Sequence, residues 1–170
     1  VGRAEGGCEG TGGREEDGRV GEDGRDVRGR GEDMRARRLD LGDGDAGAFE
    51  PLCRAYSIRK DDPRRGEIME QCLRDAAAAP MEILRLSCEA IDLDREMLAK
   101  GSGMSLSDVG TGVIFCWSAL YGACLNVKVN TKSMADRAYA EAMNREADQL
   151  VNQYWKIAEQ VYEAVMGRFS

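Results

Sequence analysis

Histidine is absent from the 170 residues, and its absence removes whole classes of chemistry. There is no Ser-His-Asp or Cys-His pair, no zinc site drawing on imidazole, and no imidazole to shuttle protons near neutrality. Acid–base work is left to Asp, Glu, Lys, Tyr or Cys. A basic excess is also lacking: the net charge of −7 leaves no face to neutralise phosphates, which argues against a general nucleic-acid binder. The six cysteines contain no C-x-x-C pair. Five of them (Cys53, Cys72, Cys88, Cys116, Cys124) fall in helical patterns, where a reduced thiol is the ordinary role. The N-terminal stretch has no apolar leader. These features predict a cytoplasmic, reduced chain, long enough for one domain with a sizeable core.

What the chain does have is one long uncharged run. Between Asp108 and Lys128 no residue is charged, in a chain that is 32% charged. The segment 105–132 predicts a helix of several turns, opened by Ser107 as N-cap and Asp108 in a negatively charged first turn. Its large apolar groups (Val113, Ile114, Phe115, Trp117, Leu120) alternate with small ones (Gly110, Gly112, Ser118, Ala119, Gly122, Ala123) that let a neighbour pack closely. A helix apolar nearly all round is a central core helix or a membrane span. Three glycines, several polar groups and the lack of an aromatic belt argue against the membrane, so a buried central helix is expected.

Residues 1–33 are Gly, Arg, Asp and Glu with few apolar side chains, and predict a disordered or aberrant segment. Its glycine clusters do not make a phosphate loop, because no G-x-x-x-x-G-K-[ST] occurs. From Met34 onward the pattern is helical, giving a 34–170 domain. Met34–Leu41 suits a helix end, and Glu50–Tyr56 a short helix with Pro51 in its early turns. Asp61-Asp62-Pro63 marks a helix start with proline at N1. Pro80 is expected to end that helix and begin the next, which runs to Lys100-Gly101. After Lys132 a last long helix carries Met134, Ala138, Ala142, Ala147, Leu150, Val151, Tyr154, Ala158, Val161 and Val165 at three- and four-residue steps. The expected class is all-α: an antiparallel bundle of roughly five helices behind an irregular N-terminal segment.

Four short segments remain. They are Asp43-Gly-Asp-Ala-Gly-Ala-Phe49, Ala77-Ala-Ala-Pro80-Met-Glu-Ile83, Lys100-Gly-Ser-Gly-Met-Ser-Leu-Ser107-Asp108-Val-Gly, and Leu125-Asn126-Val-Lys-Val-Asn130-Thr-Lys132. On spacing alone Asp43 or Asp45 is a plain N-cap, and Asp108 a capping residue. Asn126 and Asn130, four apart, project from one helix face and offer both donors and acceptors. In this order the segments resemble the D-x-D-A-x-A-F, A-x-x-P-x-E-I, K-G-x-x-x-x-S-D-x-G and L-N-V-x-x-N-x-K motifs of the cyclodeaminase/cyclohydrolase family of folate metabolism. The P-T-P-G-G-G-S loop that usually opens that family is missing, and the Gly/Arg-rich segment, which has the look of a shifted reading frame or wrong start, stands in its place.

The resemblance implies a helical domain that pairs as a homodimer or higher homo-oligomer, with a tetrahydrofolate derivative as substrate, no metal, and neither nucleic acid nor membrane as partner. It implies conversion of 5-formiminotetrahydrofolate to 5,10-methenyltetrahydrofolate with loss of ammonia, or hydrolysis of the methenyl form. Asp45 or Asp43 is the implied catalytic acid, with Asp45 preferred; Asp108, Asn126, Asn130 and Lys132 are the implied substrate-binding residues. A carboxylate in a partly apolar pocket can deliver or remove the proton that either reaction needs. The alternative is a non-catalytic helical dimerisation module that has lost the folate site.

Overall fold

The computed structural model describes residues 26–37, 49–100 and 105–170. Five helices account for nearly all of them, and among the described residues there is no strand. They are α1 (26–37), α2 (49–57), α3 (Arg65–Lys100), α4 (Leu106–Thr131) and α5 (Arg137–Met166). The all-α expectation holds. Its helix count is reached by a different division of the chain, because two predicted helices are one and α1 begins well before Met34.

The predicted start is displaced by two residues: the helix begins at Arg65, and Pro63 lies ahead of it rather than at N1. The Asp62 carboxylate accepts a hydrogen bond from the Arg64 amide at 2.8 Å, and the Asp62 carbonyl accepts one from the Arg65 amide at 3.1 Å. The expected break at Pro80 is absent: α3 runs unbroken for 36 residues with Pro80 inside it. Proline at position 80 supplies no N–H to the carbonyl of Ala76, one turn back. The side-chain amide of Asn130 on α4 donates to that carbonyl instead, at 3.1 Å. A group on a neighbouring helix thus fills the gap that would otherwise favour a break.

Side-chain pairings give the topology. Ala76 meets Asn130, and Asp94 lies beside Gly112, so α3 and α4 are antiparallel. Gly110 faces Val165, where an added Cβ would come within 3.0 Å of the valine methyl, and Thr131 bonds Asn144 at 2.8 Å; α4 and α5 are antiparallel too. Arg85–Glu146 and Tyr154–Asp92 run in the same sense, so α3 and α5 are parallel. Leu84, Ile91, Val113, Leu120, Val127, Ala147 and Ala158 fill the shared core. A smaller cluster joins Leu52 of α2 to Leu73, Ala76, Ala77, Met134 and Ala140. Asp136 caps α5 by accepting from the Tyr139 amide at 3.0 Å, and pairs with Arg74 at 2.7 Å. The last helix therefore starts at Arg137, leaving Met134 in the connection.

Two further expectations are corrected. Residues 26–33, assigned by composition to the disordered segment, are helical; α1 is tied to α3 by Arg30–Glu96 and by Arg37 to Glu89 at 2.8 Å and Glu82 at 3.2 Å. These pairs flank a narrow half-buried face of Val27, Gly31 and Met34, with Gly31 close to Leu93 of α3. The second concerns α4, which is long and apolar enough to cross a membrane by length and composition and is not buried all round. Phe115, Leu125 and Val129 are 70%, 66% and 66% exposed, in line with Ile114 and Tyr121. Its main neighbours, α3 and α5, lie on one side, and the other side is an uncovered apolar stripe. None of the five described cysteines is in a disulfide; burial pushes the Cys88 thiol up to about 12.

Candidate functional site

Asp43 and Asp45 lie outside the described residues, so their expected catalytic place is not described. The other four predicted residues are all on or just after α4, at opposite ends. Asp108 sits in the first turn, exposed, while Ser105, not Ser107, occupies the N-cap position and makes no side-chain cap bond. Among the described residues Asp108 has no hydrogen-bond or ion-pair partner, so it is not spent on capping. Asn126, Asn130 and Lys132 gather at the far end, about 27 Å or more along the axis from Asp108 at 1.5 Å per residue.

At that far end the amides are largely committed. Asn130 donates to the carbonyls of Ala76 at 3.1 Å and Asn126 at 3.0 Å. Asn126 donates to the Gly122 carbonyl at 3.2 Å. The two Nδ2–H donors of Asn130 are thus occupied, leaving its side-chain oxygen to accept. Lys132 is exposed and caps α4 through its backbone amide, which donates to the Lys128 and Asn130 carbonyls.

The Asp108 end holds what the sequence did not suggest. A cavity of about 240 Å³ opens between α1, α3 and α4, lined mainly by apolar and small side chains, with Asp94 in its wall. Asp94 Oδ2 is buried and has no hydrogen-bond partner among the described residues. Burial pushes the carboxyl up to about 6, against the opposing pull of a hydrogen bond from the Cys116 thiol. The carboxylate lies flat against α4 at Gly112, where an added Cβ would stand 3.0 Å from Oδ1 and 3.4 Å from Oδ2. Any larger residue there would press on the carboxylate and displace it by a few tenths of an ångström. Gly112 is four residues from Asp108, so the cavity and the free carboxylate share one face and one end of α4. The signal was in the sequence: Ile83, Ser87, Ala90 and Asp94 step along α3 at helical spacing, and an acid closes an otherwise apolar or small stripe.

A buried acid beside an apolar cavity, with a second carboxylate one helical turn away along α4, can bind a donor-rich heterocycle or hold a proton near neutrality. Comparison with known proteins narrows this. The formiminotransferase-cyclodeaminase family model matches residues 6–149. The chain belongs to that family. The match begins inside the Gly/Arg-rich segment. A methenyltetrahydrofolate cyclohydrolase of Methylorubrum extorquens is 31% identical over 128 residues, which cover 73% of this chain and 62% of that protein. A formimidoyltransferase-cyclodeaminase of Sus scrofa is 26% identical over 122 residues, 69% of this chain and 23% of the longer protein. In fold, the formiminotetrahydrofolate cyclodeaminase of Thermotoga maritima superimposes with a TM-score of 0.74 at 22% identity, over 82% of this chain and 67% of that one. The family membership carries the all-helical expectation with it. The chain spans less than two thirds of the length of the curated relatives it matches.

Proposed function

We propose that this chain is a folate-dependent one-carbon enzyme, acting as a formiminotetrahydrofolate cyclodeaminase or a methenyltetrahydrofolate cyclohydrolase. The observation that carries the reading is the family match over residues 6–149. In the first reaction N10 adds to the formimino carbon of 5-formiminotetrahydrofolate, and the formimino nitrogen leaves as ammonia once protonated. In the second, water adds to the methenyl carbon, loses a proton, and the C–N5 bond breaks to give 10-formyltetrahydrofolate. One carboxyl able to give and take a proton serves both, without metal or imidazole. Asp45, or Asp43, is assigned that role, and Asp108, Asn126, Asn130 and Lys132 the binding of substrate.

The separation of Asp108 from Asn126 and Asn130 along α4 supports a homodimer. The exposed stripe of Ile114, Phe115, Tyr121, Leu125 and Val129 is apolar surface of the kind that a second copy covers. Two α4 helices packed antiparallel through it set Asp108 of one copy towards Asn126 and Asn130 of the other. Such a dimer has no need of nucleic acid or membrane, and acts in the cytoplasm.

The test is optical. The chain is incubated separately with 5-formiminotetrahydrofolate and with 5,10-methenyltetrahydrofolate, and the methenyl chromophore is followed beside Asp45→Asn. Appearance from the first substrate makes the protein a lyase, and accelerated loss of the second makes it a hydrolase; the variant abolishes either. Traces matching a protein-free blank refute catalysis and leave the dimerisation module.

A further inference from the structure

The Asp94 carboxyl is an anomaly that packing does not explain. A buried, unmet carboxylate oxygen costs free energy, and native folds keep such groups where something meets them. Among the described residues nothing meets Oδ2. Arg35, the cationic side chain of the described lining, forms no ion pair with it. The Cys116 thiol is a weak donor. Gly112 removes the side chain that would otherwise push the carboxyl aside.

The surroundings say what kind of group would satisfy it. Ile83, Leu86, Leu93, Phe115 and Ala119 give the cavity apolar walls, which suit a flat ring rather than a hydrated cation. A carboxylate pairs best with two adjacent N–H donors held in one plane. Resting on the folate reading above, we propose that this cavity receives the pterin ring of the substrate, whose N3–H and 2-amino group donate side by side to the Asp94 carboxylate. Rotation about the Cβ–Cγ bond brings either oxygen of the carboxyl to the ring. The ring then lies one helical turn from Asp108, at the end of α4 that a second copy would approach with Asn126 and Asn130. Asp94 is a binding residue, and proton transfer stays with the carboxyl assigned above.

The decisive comparison is between pterin and lumazine, which differ in that lumazine carries a carbonyl oxygen where pterin has the 2-amino group. Calorimetric titration of the intact chain should show pterin binding at least about tenfold more tightly, the margin expected for losing a hydrogen bond to a charged group. Asp94→Asn places an amide against the ring and should erase that margin. Ala119→Trp fills the cavity mouth and should weaken both ligands while leaving Asp94 in place. Far-UV circular dichroism establishes that each variant is folded. Equal binding of pterin and lumazine, or unchanged pterin affinity in Asp94→Asn, overturns the proposal. Chromophore turnover with an unchanged KM in Asp94→Asn overturns the placement and leaves the reaction standing. Asp94-dependent pterin binding without turnover supports the placement and overturns the reaction.

Discussion

Replacing Asn130 with alanine tests the link between two distant motifs. Pro80 deprives the Ala76 carbonyl of its helical donor, and Asn130 supplies one from α4 at 3.1 Å. Ala76 is only 7% exposed, so water is a poor substitute. Asn130→Ala leaves that carbonyl unmet, at a cost of about 1–3 kcal/mol. For a chain of this length, each kcal/mol lowers the melting temperature by about 2–4 °C. In a Pro80→Ala background the new N–H at position 80 restores the bond within α3, and Asn130→Ala becomes cheaper by about 1 kcal/mol or more. Urea unfolding of the four proteins at one fixed chain concentration gives the coupling directly, provided the m-values agree. Equal costs of Asn130→Ala in the two backgrounds would show that Asn130 does not sustain α3 through Pro80.

The buried carboxyl predicts a pH-dependent stability. In the folded chain Asp94 is held at about 6 against an ordinary 3.8, so the folded state binds the proton more tightly. Its relative stability is complete below pH 4 and declines as pH rises towards 6 and beyond. A full shift of that size corresponds to about 3 kcal/mol, and partial exposure reduces it to about 1–2 kcal/mol. Asp94→Asn should therefore stabilise the chain by that amount at pH 8 and little at pH 4; a pH-independent difference in urea midpoints would refute the assignment. Leu125→Glu places a charge in the exposed stripe of α4 and should shift a sedimenting dimer towards monomer; a wild-type chain that sediments as monomer at all concentrations refutes the pairing.

Much of the fold was legible because its signals are local. Asp62-Pro63 leads into α3 two residues ahead of Arg65, the uncharged run makes α4, and the three- and four-residue steps after Lys132 make α5. The continuity of α3 was hidden because the amide that permits it lies 54 residues away, and nothing near Pro80 announces it. Composition hid α1 for another reason: its inward face is only Val27, Gly31 and Met34, and its many charges read as disorder without their partners on α3. The exposed face of α4 was equally illegible, since an apolar pattern says that a surface seeks cover and not who provides it. Of the candidate site, the helix placement of Asp108, Asn126 and Asn130 was read correctly. Their separation into two ends follows from that spacing alone. The commitment of Asn130 to a backbone carbonyl required the fold. Asp94 escaped because a single acid on a helix ordinarily faces water, and the stripe it closes on α3 gains its meaning from the approach of Gly112.

The same carboxyl gives the protein an unusually clear proton inventory. With no imidazole anywhere in the sequence, the side chain that ordinarily titrates nearest pH 6 is missing. Asp94 is the carboxyl lifted to that pH among the described residues. Among the described residues a change in unfolding free energy centred near pH 6 therefore points to Asp94, and its loss in Asp94→Asn separates that contribution from the carboxyl assigned to proton transfer.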